Sequence, residues 1–196
     1  MSLQKVKGLL SVFAVGIGLS YPFAVYFGMK SFSPQVVTLF VICLLALRIF
    51  LMRKSMPAAH RLIWPSVAAL GFVAFCLLLN AALSAKLYPV AMSAFLGVSF
   101  IWSVLKPPTV IEMIARITEP DLDRKGVLYT RKVTIVWTVF FVMNALIAFW
   151  TALYGTLEQW TLYNGFISYC LMGVLFAIEY LVRIIVRKNE KRADFR

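Results

Sequence analysis

Histidine is all but missing from this chain. His60 stands alone in a short basic loop, so no histidine-based metal cluster can form within one molecule. Cysteine is nearly as scarce. Cys43, Cys76 and Cys170 all fall inside apolar segments with no paired spacing, which reads as buried, unreactive thiols and excludes a disulfide framework or a zinc site. Asp and Glu number 8 against 20 Lys and Arg, and charged residues make up only 14% of the chain. Gly-rich phosphate loops, HExxH pairs and nucleophile elbows are lacking too. The residues name no catalytic group, no metal and no cofactor.

Apolar residues fill the chain instead. Six apolar stretches run at about 8–28, 34–52, 62–84, 88–105, 133–154 and 166–186, each close to the length that crosses ~30 Å of hydrocarbon as helix. The expected fold is an all-α integral membrane protein, one membrane domain over residues 1–196, with six transmembrane helices in three antiparallel hairpins. The longest loop, 106–132, is too short for a core of its own. Lys5 and Lys7 precede the first stretch as in a signal peptide. That run is too long, and no convincing small-x-small site follows it, so it is expected to stay as helix one.

Basic residues set the orientation. The second and fourth gaps and both tails hold sixteen of them, from Lys5 and Lys7 through Arg53, Lys54, Arg61 and Lys106 to Arg192 and Arg196. The odd-numbered gaps hold only Lys30 and Lys86. By the positive-inside rule both termini are cytoplasmic. A net charge of +12 would suggest nucleic acid in a soluble protein. Here no basic helix with interleaved aromatics occurs, and the charge sits beside helix ends, where each Lys or Arg gains about 1 kcal/mol from anionic lipid. Membrane lipid is the expected partner, and nucleic acid is not.

Short gaps at 29–33 and 85–87 imply tight hairpins. The segment 155–165, between helices five and six, has no basic residue and is expected on the periplasmic side. There Trp160 and Tyr163 suit the membrane–water boundary, and Asn164-Gly165 signals a turn before helix six. A faint echo links Asn80-Ala81 and Leu87-Tyr88-Pro89 to Asn144-Ala145 and Leu153-Tyr154-Gly155. It reads either as a repeated hairpin unit or as chance similarity among apolar segments.

The loop 106–132 carries its own signals. Pro107-Pro108 stop helix four, and Thr109 with Glu112 has the spacing of a capping box. Val110, Met113, Ile114 and Ile117 recur on one helical face, Glu112 and Arg116 are an i, i+4 pair, and Pro120 ends the run. Either a short amphipathic helix lies among the inner head groups, or a connector seals the bundle. Glu119, Asp121 and Asp123 read as a solvated capping turn rather than a divalent-ion site.

Polar groups inside the apolar stretches are the candidate site. Glu179 and Arg183 share a face of helix six, with Glu179 on the order of 10 Å inside the membrane. A charge there costs roughly 2.5–3.5 kcal/mol on insertion scales, so a partner is expected, and Arg48 near the inner end of helix two is a second one. These groups form either a polar pocket or proton relay, or an ion pair that locks helices together. Asn144 near the midplane and Asn80 nearer the outer end read as interhelical hydrogen-bonding groups. Tyr21-Pro22 marks a kink in helix one.

From residue 106 onward the polar strings resemble a family. They are Lys106-Pro107-Pro108, Ile111-Glu112, Ala115-Arg116, Glu119-Pro120-Asp121-Leu122 and Tyr129-Thr130-Arg131-Lys132-Val133-Thr134. Trp160-Thr161-Leu162-Tyr163-Asn164-Gly165, Ile167-Ser168-Tyr169, Met172-Gly173, Glu179 and Leu181-Val182-Arg183 follow. This half is similar to bacterial inner-membrane proteins whose genes sit among type II fatty-acid-synthase-like clusters, including those for aryl polyene or xanthomonadin-type pigments. Only Tyr21-Pro22 and Tyr88-Pro89 match in the first half. Lys132 stands where that family often has Arg, Ala145 where it has Gly, and Tyr180 where it has Trp; the first weakens any bidentate role at that position.

The resemblance implies an inner-membrane location and a pathway context, without a reaction. It leads to a non-catalytic accessory protein for making or delivering an acyl or aryl polyene lipid. An acidic acyl carrier protein or pathway enzyme would dock on Arg116, Arg124, Lys125, Arg131 and Lys132. The rival expectation is a small transporter or lipid flippase, working as a homodimer, with Glu179, Arg183, Arg48 and Asn144 along its path.

Overall fold

The computed structural model describes residues 20–55, 67–68, 70–72, 74–76, 78 and 80–193, and all regular structure among them is helical. The start of helix one and the loop with His60 lie outside the described residues. Helix α1 covers 20–31, α2 is Pro34–Ser55, the described helical residues of 67–76 form α3, and α4 is Ala81–Leu105. Then come α5 (Val110–Thr118), α6 (Arg124–Tyr154), α7 (Leu157–Leu162), a π-helical turn (Tyr163–Ile167) and α8 (Ser168–Ala193). Three stretches, Ala82–Leu105, Arg124–Tyr154 and Leu157–Val186, are long and apolar enough to cross a membrane.

Several boundaries differ from the sequence expectation, each for a local reason. The break expected at 85–87 falls at Asn80, whose side chain accepts the Leu83 N–H at 3.0 Å and starts α4 there. Asn80 is therefore a helix cap rather than a group bonding between helices, and Lys86 lies within the helix. Asn144 sits mid-helix in α6, so the two asparagines of the apparent echo do different work. Helix α6 begins at Arg124 instead of near 133, because the Asp123 carboxylate accepts the Gly126 N–H at 2.7 Å. The last third of the expected loop is thus the first turns of a long helix.

The expected turn at 155–165 is also largely helical. Thr156 and Gln159 cap α7 reciprocally, and the chain runs through the π turn into α8 without a loop. Gly165 serves close packing rather than a turn. A Cβ there would lie 3.2 Å from the Phe23 ring and 3.3 Å from Pro22, so α1 approaches the π turn only because that atom is missing. Cys43 and Cys170 stand on outward helix faces, and Cys76 alone of the three is buried.

Two clusters hold the bundle. Near the α7 end, Tyr21, Val25, Val37, Val41, Tyr88 and Trp160 pack together. Nearer the basic end of α6, Phe100, Val110, Trp137 and Phe141 form the second, with Phe100 and Phe141 meeting edge to face at 5.1 Å. Helix α4 lies along α6, where Gly97 faces Phe141 and Val142. Helix α8 diverges from that pair. From 169 to 186 it has no buried residue, and it meets α6 through Trp137 against Phe176 at 4.5 Å and through Tyr129 beside Glu179.

Candidate functional site

The divergence of α8 from α6 leaves a cavity of about 240 Å³, roofed by α5. Its floor follows from helical spacing. Tyr129, Val133 and Trp137 recur every fourth residue on α6, and Phe176, Glu179 and Arg183 share a face of α8. Ile111, Ala115 and Thr118 of α5 close the side. The capping box on α5 is as the spacing implied: Thr109 accepts the Glu112 N–H at 3.3 Å, and the Thr109 N–H donates to Glu112 at 3.4 Å.

The cavity has a mixed lining. Glu119, Asp123, Glu179 and Arg183 line it together with Leu122, Val133 and Val186, and the tilted rings of Trp137 and Phe176 meet in it at 4.5 Å. The Tyr129 hydroxyl lies 3.4 Å from both the Glu179 carboxylate and its backbone carbonyl, two long contacts for one donor. Glu179 and Arg183 line the same space without closing an ion pair. The carboxylate and guanidinium thus keep capacity for a third group.

The expected constellation divides in two. Arg48 lies in α2, and its side chain is outside the described ones. Asn144 is buried in a second cavity of about 270 Å³, donating to Ser93 Oγ at 2.9 Å and accepting from the Tyr163 hydroxyl at 3.0 Å. Trp137 packs on Phe141, which lines that second cavity, so aromatic rings separate the two spaces. Trp160 and Tyr163, expected at the membrane boundary, and Asn164, expected in the periplasmic turn, are all buried within the protein. The Trp160 indole N–H donates to the Lys86 carbonyl at 3.1 Å.

The expected docking residues also separate. Arg124, Lys125, Arg131 and Lys132 are exposed on the first turns of α6. Arg116 is turned inward: its guanidinium donates to Glu112 at 2.9 and 3.0 Å and to the Pro120 carbonyl at 3.0 Å. Glu112 itself is buried, so this pair braces α5. Ile114 and Ile117 stay exposed on α5, while Val110 and Met113 pack against the aromatic cluster. Tyr129 entered the sequence reading only within a family-like string, and none of Tyr129, Trp137 and Phe176 was assigned to a site, although their spacing was available. Which helix faces meet is a tertiary fact.

Beyond the ends of the membrane-length apolar core, Lys30 sits over the Tyr26 ring at 4.1 Å and 3.8 Å from Glu158. The hydrogen bond to the Tyr26 hydroxyl, chiefly, holds its ammonium above the ordinary lysine value. Comparison of the chain with protein-family models, curated proteins and solved structures returned no match.

Proposed function

We propose that this chain is a six-span inner-membrane protein with both ends cytoplasmic, which holds the head and upper chain of an acyl amphiphile at the inner leaflet. It acts as a non-catalytic accessory to making or delivering an acyl or aryl polyene lipid. One observation carries the reading: the cavity between α5, α6 and α8 is lined both by charged groups, Glu119, Asp123, Glu179 and Arg183, and by apolar ones that include Trp137 and Phe176. Such a mixed lining matches a molecule with a polar head and a hydrocarbon chain. The exposed Arg124, Lys125, Arg131 and Lys132 beside it suit an acidic acyl carrier protein or anionic lipid.

Transport is the second reading. It draws on the two cavities placed in series along α6, with rings between them. The experiment is lipid profiling of a deletion strain, complemented by wild type and by Ala115→Phe, which fills the cavity from α5. The accessory reading expects an altered acyl-lipid or pigment profile that wild type restores and Ala115→Phe does not. An unchanged profile on deletion overturns it. Lipid accumulating on one leaflet without a change in total composition would instead favour transport.

A further inference from the structure

The second cavity carries chemistry that nothing in the bundle uses. Tyr21 and Pro22 of α1, Tyr88, Pro89 and Ser93 of α4, Phe141 and Asn144 of α6, and Asn164 and Ser168 at the π turn all face it. Among the described residues, no Asp, Glu, Lys, Arg or His lines it. Its walls are aromatic and proline rings, and its polar atoms are amides and hydroxyls.

Some of those polar atoms are unspent. Ser168 is 6% exposed, and its hydroxyl makes no hydrogen bond among the described residues. Asn164 is 4% exposed; its amide nitrogen donates to the Trp160 carbonyl at 2.9 Å and to Thr151 at 3.3 Å, and its side-chain oxygen has no donor among the described residues. The Ser93 hydroxyl accepts from Asn144 and has its own proton to give. Buried polar atoms are nearly always paired, so two unpaired ones on residues that line one space call for an occupant. The π turn adds a second indication. The Ser168 N–H bonds to the Tyr163 carbonyl, five residues back, and such turns inside α-helices recur at functional sites.

We infer that this cavity binds a neutral lipophilic ring bearing a hydroxyl group, a ligand of the phenol class. The polar atoms select the hydroxyl. Asn164 Oδ1 is an acceptor and requires a donor, whereas Ser168 and Ser93 can each donate to the same ligand oxygen. A hydroxyl satisfies both demands, and a quinone carbonyl satisfies only the second. The described lining offers a buried charge no partner, which favours a neutral ligand. Tyr21, Tyr88 and Phe141 supply faces and edges for a ring, and the volume of about 270 Å³ exceeds the space one water fills.

The test uses the full chain in nanodiscs. A para-alkylphenol carrying a diazirine in its chain is crosslinked, and protection is measured with unlabelled para-alkylphenol, alkylbenzene and alkylbenzoquinone of equal chain length. The phenol should protect at concentrations about tenfold lower than either competitor, the ratio that one well-made hydrogen bond gives. Ser168→Ala should remove most of that advantage while leaving thermal unfolding unchanged, because the hydroxyl has no protein partner to lose. Equal protection by all three competitors overturns the proposal, on the wild-type chain alone. So does a Ser168→Ala chain that folds and still prefers the phenol as wild type does.

Discussion

Pro89 lies inside α4 and has no N–H, so the Ala85 carbonyl four residues back loses its helical donor. The Tyr21 hydroxyl donates to that carbonyl from α1. The Tyr-Pro pairs visible in the sequence thus answer one another across the bundle. Tyr21 from one reaches the acceptor that the proline of the other sets free. Tyr21→Phe should lower stability in detergent by about 1–3 kcal/mol, the penalty for stranding a buried acceptor. Pro89→Ala returns an N–H to position 89, so the same Tyr21 change should cost less in that background. Equal losses in both backgrounds would show that the two groups are not coupled. Glu179 makes a parallel case at the other end. Tyr129→Phe should weaken retention of an acyl amphiphile several-fold with little change in melting, since the 3.4 Å contacts are long and contribute little to folding. Co-purified lipid, quantified by mass spectrometry, is the measurement.

At the scale of the element, local signals were readable and partner faces were not. The capping box at Thr109 and Glu112, the Glu112–Arg116 pair and the stop at Pro120 are all short-range chemistry, and all are realised. The start of α6 was misplaced because a basic, polar run looks like loop, yet nothing in 124–132 breaks a helix once Asp123 caps it. With 31 residues α6 is about 46 Å long, more than hydrocarbon requires, so its basic turns extend past the apolar core. Asn164-Gly165 misled for the opposite reason. Its glycine is a turn residue by composition, but its missing Cβ makes room for Phe23 and Pro22. Gly165→Ala should therefore destabilise by about 1–3 kcal/mol through overpacking. Gly173→Ala, where no atom lies within 4 Å, should be neutral or gain up to about 1 kcal/mol of helix propensity. Thermal melts of the two variants side by side decide the matter, and a reversed order would mean that α1 yields freely.

Across the whole molecule, the apolar lengths gave the class, while which helices pair depended on contacts far apart in sequence. Glu179 and Asn144 were grouped by depth alone; the structure puts them in different cavities because α8 leans away from α6. The proposed six-span arrangement predicts reporter activity outside the cytoplasm for fusions at Lys30, Asn80 and Gln159, and none at Ala58 or Lys125. Strong external signal at Lys125 would overturn it, because that segment holds the densest basic charge. Reversing Arg124 and Lys125 to Glu should leave melting unchanged and weaken binding to acidic liposomes. The difference should shrink as salt rises, because both side chains are exposed. Binding that ignores the reversal would mean that the basic face does not contact acidic surfaces.

The Tyr21–Ala85 and Trp160–Lys86 hydrogen bonds have a consequence for the order of assembly on the ribosome. They tie α1, α4 and α7 at one end, and their members are 64 and 74 residues apart. A chain made from its N-terminus has α1 through α4 complete long before Trp160 emerges. Until then the Lys86 carbonyl lacks its indole donor and the Tyr21–Tyr88 contact lacks the ring that covers it. The early hairpins must wait, loosely joined, for a clasp synthesised late. Nascent chains arrested before Thr156 should accordingly be cut by protease far faster than chains released after α8, even though most of their helices are already made.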